Sequence, residues 1–405
     1  MPSWYDDELA ELRRQGLYRS RRRIQSPQQV RVRQRGRELL NFSSNDYLNL
    51  AADPRLARAA ARAAKKYGAG AGSSPLVSGW LPPLRTLERA LARWERTEAA
   101  LVFPSGFAAN LGAVSALGQG AVIFSDELNH ASLIDGCRLA RAPVHVYGHG
   151  DVEHLEALLR THGAAAPRRL IVTDTVFSMD GDLAPLAELL RLAERFDCQL
   201  LVDEAHATGV LGEQGQGVSA LLASGGRQPA VVDQPTVVDR LIKVGTLSKA
   251  LGAQGGFVCG TRSLISYLVN KARPYIFSTA LAPPAAAAAR RAVAVVREEP
   301  ERRRHLLRLA DMLRQELLSL GFPATRSQCQ IVPVLIGDPE AAVSLSKRLE
   351  EDGLLVPAIR PPSVPTGTSR LRISLTAGHT EEDVGRLIGS LARRADRTRQ
   401  PLPAP

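Results

Sequence analysis

A series of short apolar runs, separated by helical stretches, limits what this chain can fold into more than any other feature. The runs are Ala99–Phe103, Ala121–Phe124, Val144–Tyr147, Leu170–Asp174, Leu200–Asp203, Arg240–Val244 and Gly256–Cys259. Between several of them lie amphipathic segments such as Val152–Arg160 and Ala184–Phe196. Strand-length apolar runs alternating with helices build a mostly parallel sheet covered by helices on both faces. From about Asn45 to Ala280 the expected fold is therefore α/β.

The flanking segments read differently. Residues 5–23 read as an amphipathic, arginine-rich helix ending near Arg21-Arg22-Arg23, and Gln29–Leu40 reads as an exposed strand or arm. A long helical pattern over Ala285–Leu320 closes at Gly321-Phe322-Pro323. Strands at Ile331–Ile336 and Leu371–Leu375, with helices at Pro339–Asp352 and Glu381–Arg394, make a smaller α+β unit. The expected organisation is an N-terminal helix and arm over 1–45, a large domain over 46–284, a C-terminal α+β domain over 285–396 and a disordered Pro-rich tail over 397–405. The segment Ser224–Asp239 reads as a surface loop.

Charge narrows the partners. Fifty-two basic residues against 41 acidic give a net charge of +11. Such an excess suits phosphates, coenzyme A, an acidic carrier protein or nucleic acid. The arginines between Arg19 and Arg37 raise the nucleic-acid reading, but no binding module accompanies them, and no nucleic acid is expected as a partner. Asp6, Asp7 and Glu8 stand where a signal peptide needs basic and then apolar residues. The most apolar long stretch, Ala280–Val296, is interrupted by Pro283-Pro284 and Arg290-Arg291, so no membrane span is expected and the cytoplasm is the expected location. Cys137, Cys198, Cys259 and Cys329 form no CxxC pair, which argues against a zinc site or a disulfide framework.

The chemistry concentrates on two residues. Asp203 ends an apolar run and precedes Glu204-Ala205-His206; an acid at the carboxyl end of a parallel strand lies where open α/β sheets bind ligands. Lys249 sits in Gly245-Thr246-Leu247-Ser248-Lys249-Ala250, directly after another strand. The remaining lysines are Lys65, Lys66 and Lys347 in polar helical settings, Lys271 after an apolar helix, and Lys243, whose alternation with Leu241 and Val244 points it towards solvent. An isolated amine together with a strand-end carboxylate suggests pyridoxal 5'-phosphate, carried by the lysine and held protonated at its ring nitrogen by the acid. The turn Ser105-Gly106-Phe107-Ala108 before a helix offers a phosphate cradle, and Thr246 and Ser248 offer hydroxyls. His130, just past a strand, can stack on the ring, and His206 can reach its phenolic oxygen. His145, His149, His154, His162, His305 and His379 are read as structural.

The motifs Asn41–Leu48, Ser105–Asn110, Asn129–Ser132, Phe177–Asp182, Asp203–His206 and Thr246–Lys249 together resemble the α-oxoamine synthases, fold-type I pyridoxal-phosphate enzymes, over most of the chain. The resemblance implies a homodimer in which Lys249, Asp203, His130 and His206 are catalytic. Gly106, Phe107 and Thr246 would hold phosphate, Ser178 would contact the phenolic oxygen, and Ser278 and Thr279 would reach the neighbouring subunit's phosphate. Asn45 and Arg360 would bind an amino-acid carboxylate, and Arg21 and Ser363 the acyl substrate; no metal is implied. The stretch Ala358–Pro365, continuing to Arg370-Leu371-Arg372, is similar to members that join L-alanine to a pimeloyl thioester of coenzyme A or acyl carrier protein, releasing carbon dioxide. Relatives that use glycine or serine usually differ there. Ser248 departs from a common glycine and Leu84 from a common histidine.

Overall fold

In this computed structural model residues 3–163, 167–220 and 240–395 are described. The expected loop Ser224–Asp239 and the tail 397–405 lie outside them. The chain divides into two compact units, Met1–Ser44 with Met179–Gly181 and His305–Pro405, and Asn45–Ser178 with Asp182–Arg304.

In the first unit, helix α1 (Trp4–Arg14) stops well before the expected Arg23. Gly16 turns left-handed at φ +65°, and the N–H groups of Leu17 and Tyr18 both return to Leu12 O at 2.8 and 2.9 Å. Glycine in that conformation ends a helix at little cost. Strands β1 (Arg31–Gln34) and β2 (Arg37–Asn41) then form an antiparallel hairpin over Arg35-Gly36, both at positive φ. The expected exposed arm is thus half-buried. Val32 and Gln34 point inward, and Val32 packs with Leu39 and Leu355.

In the second unit, α2 (Pro54–Tyr67) and α3 (Pro82–Glu95) precede the alternating region. Its elements are β3 (Ala99–Phe103), α4 (Gly106–Leu117), β4 (Val122–Asp126), α5 (Ala131–Ala140), β5 (Val144–Tyr147), α6 (Val152–His162), β6 (Arg169–Asp174), α7 (Leu186–Arg195), β7 (Gln199–Asp203), β8 (Leu241–Thr246) and β9 (Gly256–Gly260). They form one seven-stranded sheet in the order β3-β9-β8-β7-β6-β4-β5. The five strands from β5 to β8 pair in parallel, and β9 runs antiparallel to both its neighbours. The short β8–β9 connection has no room for the crossover a parallel pair needs. Leu101, Ile123, Leu170, Leu201, Ile242 and Val258 of the sheet pack against Ala109 and Ala113 of α4.

The expected single helix over Ala285–Leu320 is two, Pro283–Glu298 and Pro300–Ser319. Glu299 leaves the helical region at φ −123°, ψ 64°, as the residue before a proline tends to do. The first of the two packs on α2 and α3, so the packing divides at 304/305 rather than at 284/285.

The remaining strands belong to the first unit. They are β10 (Ile331–Gly337), β11 (Leu354–Leu355), β12 (Ala358–Ile359) and β13 (Ser369–Ser374), with β13 central and antiparallel to β10 and β12. Strand β11 pairs in parallel with β2, joining the N-terminal hairpin to this unit. Among the described residues no helix is long and apolar enough to cross a membrane.

Candidate active site

The sheet gathers its chemistry along one edge. Because β3 and β4–β8 run the same way, Phe103, Asp126, Asp174, Asp203 and Thr246 all end strands there. Register brings Asp174 beside Asp203, and Gly256 of β9 beside both Phe103 and Thr246. This is the edge at which open α/β sheets bind ligands.

Helix α4 begins at that edge. Ser105 caps it, its side-chain oxygen accepting from the Ala108 N–H at 3.1 Å. The N–H groups of Gly106 and Phe107 have no intrahelical acceptor, and they carry the positive end of the helix dipole. Gly106 lies against Thr246 so closely that a Cβ there would meet Thr246 Oγ1 at 3.1 Å. Gly256 is more constrained still, because a Cβ would lie 2.5 Å from Gly106 Cα. Thr246 Oγ1 is 2.8 Å from Ser248 Oγ and donates to Gly255 O at 3.1 Å. A cradle of free N–H groups and hydroxyls, lined by glycines, fits a phosphate group.

Two hydrogen-bonded chains of side chains follow. In the first, Asn110 Nδ2 donates to Asp203 Oδ2 at 2.6 Å and to Ser132 Oγ at 2.9 Å. The Ser132 hydroxyl proton then points to His130 Nδ1, 2.7 Å away, and the Ser132 N–H also donates there at 3.3 Å. With Nδ1 taken as acceptor, the ring is neutral and carries its proton on Nε2. Burial pushes the His130 pKa down; Asp203 pulls it up and Lys249 pushes it down, and burial prevails. A neutral imidazole, exposed at a helix start, fits face-to-face contact with a flat heterocycle. Phe107 meets that ring edge-on at 6.4 Å.

In the second chain, Lys249 Nζ lies 2.8 Å from His206 Nε2, and His206 Nδ1 lies 2.6 Å from the Tyr47 hydroxyl, which donates to Asn45 Oδ1 at 3.1 Å. With the Tyr47 proton given to Asn45, His206 donates from Nδ1 and accepts from the Lys249 amine at Nε2. The lysine amine thus lies beside an imidazole nitrogen that can accept from it, as suits an amine that must also react. Asp203 Oδ1 accepts from the Ala205 N–H at 2.8 Å. The neighbouring Asp174 accepts from the His130 N–H at 2.7 Å, and burial, followed by the charge of Asp203, raises its pKa well above the carboxylate range.

Lys249, His206, Asn45, Asp203, His130, Thr246, Gly106 and Phe107 therefore meet within the second unit. Ser178 lies in the turn after β6, and Ser278 and the exposed Thr279 follow the short helix Arg273–Ile276 in the same unit. Arg21, Arg360 and Ser363 belong to the first unit. There Arg360 donates to the carbonyls of Gly16 and Tyr18, and Arg19 Nη2 reaches Ser363 Oγ at 3.5 Å. Arg21 lines a groove of about 670 Å³ with Arg22, Arg23, Arg35, Arg37 and Lys347, and with the acids Glu350 and Glu351. Sequence reasoning assigns no role to Tyr47, Asn110 or Ser132, although a lone asparagine in an apolar helix is a signal that something polar must meet it. Lys243 does not face solvent as expected; its largely covered amine lies 3.4 Å from Oε2 of the buried Glu95.

A model of the aminotransferase class I and II family matches residues 37–391. This chain belongs to that family. Among class I and II relatives it is 48% identical to the 8-amino-7-oxononanoate synthase of Geobacter sulfurreducens, over 95% of this chain and 96% of the relative. It is 52% identical to the one from Anaeromyxobacter sp. strain Fw109-5, over 96% and 94%. Sphingomonas wittichii serine palmitoyltransferase superposes with a TM-score of 0.87 at 32% identity, over 97% and 96% of the two chains. A high-resolution structure of SPT with PLP internal aldimine does so at 0.88 and 31%, over 97% and 98%. The 8-amino-7-oxononanoate synthase of Francisella tularensis gives 0.73 at 26% identity, over 89% and 98%. The α-oxoamine synthase resemblance and the fold-type I architecture hold.

Proposed function

We propose that this protein condenses L-alanine with a pimeloyl thioester to give 8-amino-7-oxononanoate, carbon dioxide and a free thiol, the chemistry of biotin biosynthesis, using pyridoxal 5'-phosphate. The observation that carries the cofactor is the Lys249 amine held by His206 within a site that also contains the carboxylate of Asp203 and the phosphate-fitting start of α4. The buried Asn110 Oδ1, which has no hydrogen-bond partner among the described residues, is a further sign that the site is built for a polar guest. The substrate assignment is supported by identity of about one half to 8-amino-7-oxononanoate synthases along nearly the whole chain.

When bound, pyridoxal phosphate supplies an aldehyde that condenses with amines and a protonated ring that accepts electrons from the α-carbon. The chain's residues do the rest. Lys249 would carry the cofactor, and its amine, beside His206, would serve as the base that moves the α-proton. Asp203, oriented by Asn110, keeps the ring nitrogen protonated. His130 packs on the ring face, and Ser178 and His206 contact the phenolic oxygen. Gly106, Phe107 and Thr246 hold phosphate, joined by Ser278 and Thr279 from the neighbouring subunit of a cytoplasmic homodimer. Asn45 and Arg360 are the proposed partners of the alanine carboxylate, Arg360 first giving up its bonds to the Gly16 and Tyr18 carbonyls. Arg21 and Ser363 bind the acyl substrate. Within the Arg21 groove, Arg21, Arg23, Arg35 and Lys347 have no carboxylate partner among the described residues, which supports an anionic acyl donor such as pimeloyl-CoA or pimeloyl-acyl carrier protein.

The test is purified protein with pyridoxal phosphate, L-alanine and pimeloyl-CoA, with products identified by mass. Formation of 8-amino-7-oxononanoate is expected. Product only with glycine or serine and a different acyl-CoA would move the protein to another reaction of the same family.

A further inference from the structure

His149 follows β5 and was read from sequence as structural. Its ring lies between two acids from different segments. Nδ1 is 3.1 Å from Asp126 Oδ1 at the end of β4, and Nε2 is 2.7 Å from Asp182 Oδ2. Asp182 closes the turn that carries Ser178, because the Phe177 N–H donates to Asp182 O at 3.1 Å and Val176 pairs with Leu183. Phe177 meets the His149 ring edge-on at 4.3 Å. Asp126 opens the segment that ends in His130: its carboxylate accepts from the Leu128 N–H at 2.9 Å and the Gly150 N–H at 3.0 Å. Asn129 accepts from the Asp174 N–H and donates to Val172 O, fixing the same segment to β6.

Asp182 is buried, and His149 is its only side-chain hydrogen-bond partner among the described residues. Only a doubly protonated ring can donate to both acids at once. We infer that His149 is a positioning residue: as an imidazolium bridging Asp126 and Asp182, it holds the Ser178 turn in register with the His130 segment, so that both reach the cofactor ring together. This inference rests on the proposed function for what Ser178 and His130 touch, but the bridge itself does not. The charged and titratable groups around the ring are Asp126 and Glu127 from the segment after β4, Asp182 from the turn, and Asp151 and His154 from its own segment. Glu127 Oε1 accepts the His149 N–H at 2.9 Å. Burial opposes the charge on the ring, but the bonds to Asp126 and Asp182 outweigh it and lift its pKa to about 10.

The experiment has two arms. Nitrogen-15 NMR of histidine-labelled protein is expected to show one ring, absent in His149→Gln, with both nitrogens protonated at pH 8; a neutral ring there overturns the inference whatever the protein catalyses. The second arm measures pyridoxal phosphate dissociation by equilibrium dialysis in the wild type, His149→Gln, and His162→Gln as a control remote from the bridge. His149→Gln is expected to weaken binding about tenfold, the scale of one charged hydrogen bond, and His162→Gln to leave it unchanged. Lower thermal stability with unaltered affinity would reduce His149 to a structural role and overturn the inference. Should His149→Gln not fold, Asp182→Asn breaks the same bridge from its other end and must weaken binding similarly. A wild type that binds no pyridoxal phosphate defeats the proposed function instead, and the NMR arm still decides the bridge.

Discussion

Asn110 Nδ2 lies 2.6 Å from Asp203 Oδ2, so one carboxamide ties the acid at the end of β7 to the first turns of α4. The same nitrogen reaches Ser132, which holds His130. The acid expected beneath the ring nitrogen and the imidazole expected on the ring face are thus parts of one buried network. Movement of either is felt by the other.

Replacing Asn110 with Leu keeps the volume and removes the donor. Asp203 and Ser132, both buried, would lose a partner, and leaving buried groups unsatisfied costs about 1–3 kcal/mol. Denaturant unfolding of the cofactor-free protein should show that loss. Pyridoxal phosphate should also bind more weakly. An unchanged midpoint would mean that the network is not formed.

Tyr47→Phe removes the hydroxyl between Asn45 and His206, a bond that helps orient the His206 ring towards Lys249. Losing the bond that orients the partner of the reacting amine should lower kcat by about tenfold. The pH dependence of kcat should shift as well, since the residue beside the base has changed. A lower kcat with an identical pH profile would place Tyr47 outside this relay.

Lys249→Ala should keep its fold, judged by circular dichroism, and lose turnover and the visible absorbance of attached cofactor. Borohydride treatment should then label no lysine. Normal turnover by this variant is incompatible with the proposed chemistry.

The His149 bridge also makes stability depend on pH. Its folded pKa of about 10 lies above the unfolded value of about 6.5. The folded state therefore holds the proton more tightly, and this contribution is complete below about pH 6.5 and fades as pH rises towards 10. In His149→Gln the melting temperature should fall less steeply over that alkaline range. Parallel curves for the two proteins would contradict a charged ring.

Gly256→Ala tests the cradle. The added methyl would meet Gly106 Cα and Ser105 O at 2.5 Å and Gly106 N at 2.6 Å, all backbone atoms that cannot rotate away. The start of α4 must shift, weakening phosphate binding and lowering stability together. Wild-type affinity for inorganic phosphate and pyridoxal phosphate in this variant would argue against α4 as the anion site.

Much of this was legible in the sequence because periodicity and position carry it. Apolar runs marked all seven strands of the sheet, and the strand-end placement of Asp203 and Lys249 followed from them. What escaped was set by contacts between distant segments. Asn110, Ser132 and Tyr47 matter through partners far along the chain, and nothing local shows who those partners are. The reversal of β9 depended on a connection length, and the break at Glu299 on one proline inside an otherwise helical pattern. Lys243 looked solvent-facing by alternation, yet in a sheet covered on both faces each side is interior, and Glu95 waits there.

The pairing of β3 with β9 has a consequence for biosynthesis. Ala99 of β3 pairs with Gly260 of β9, and α4 rests on Gly256. While the polypeptide is still emerging from the ribosome, β3 lacks the one strand it pairs with among the described residues until β9 has been translated. The vitamin's docking place is therefore among the last parts of the second unit to assemble, and a nascent chain halted before Gly256 should be unable to retain it.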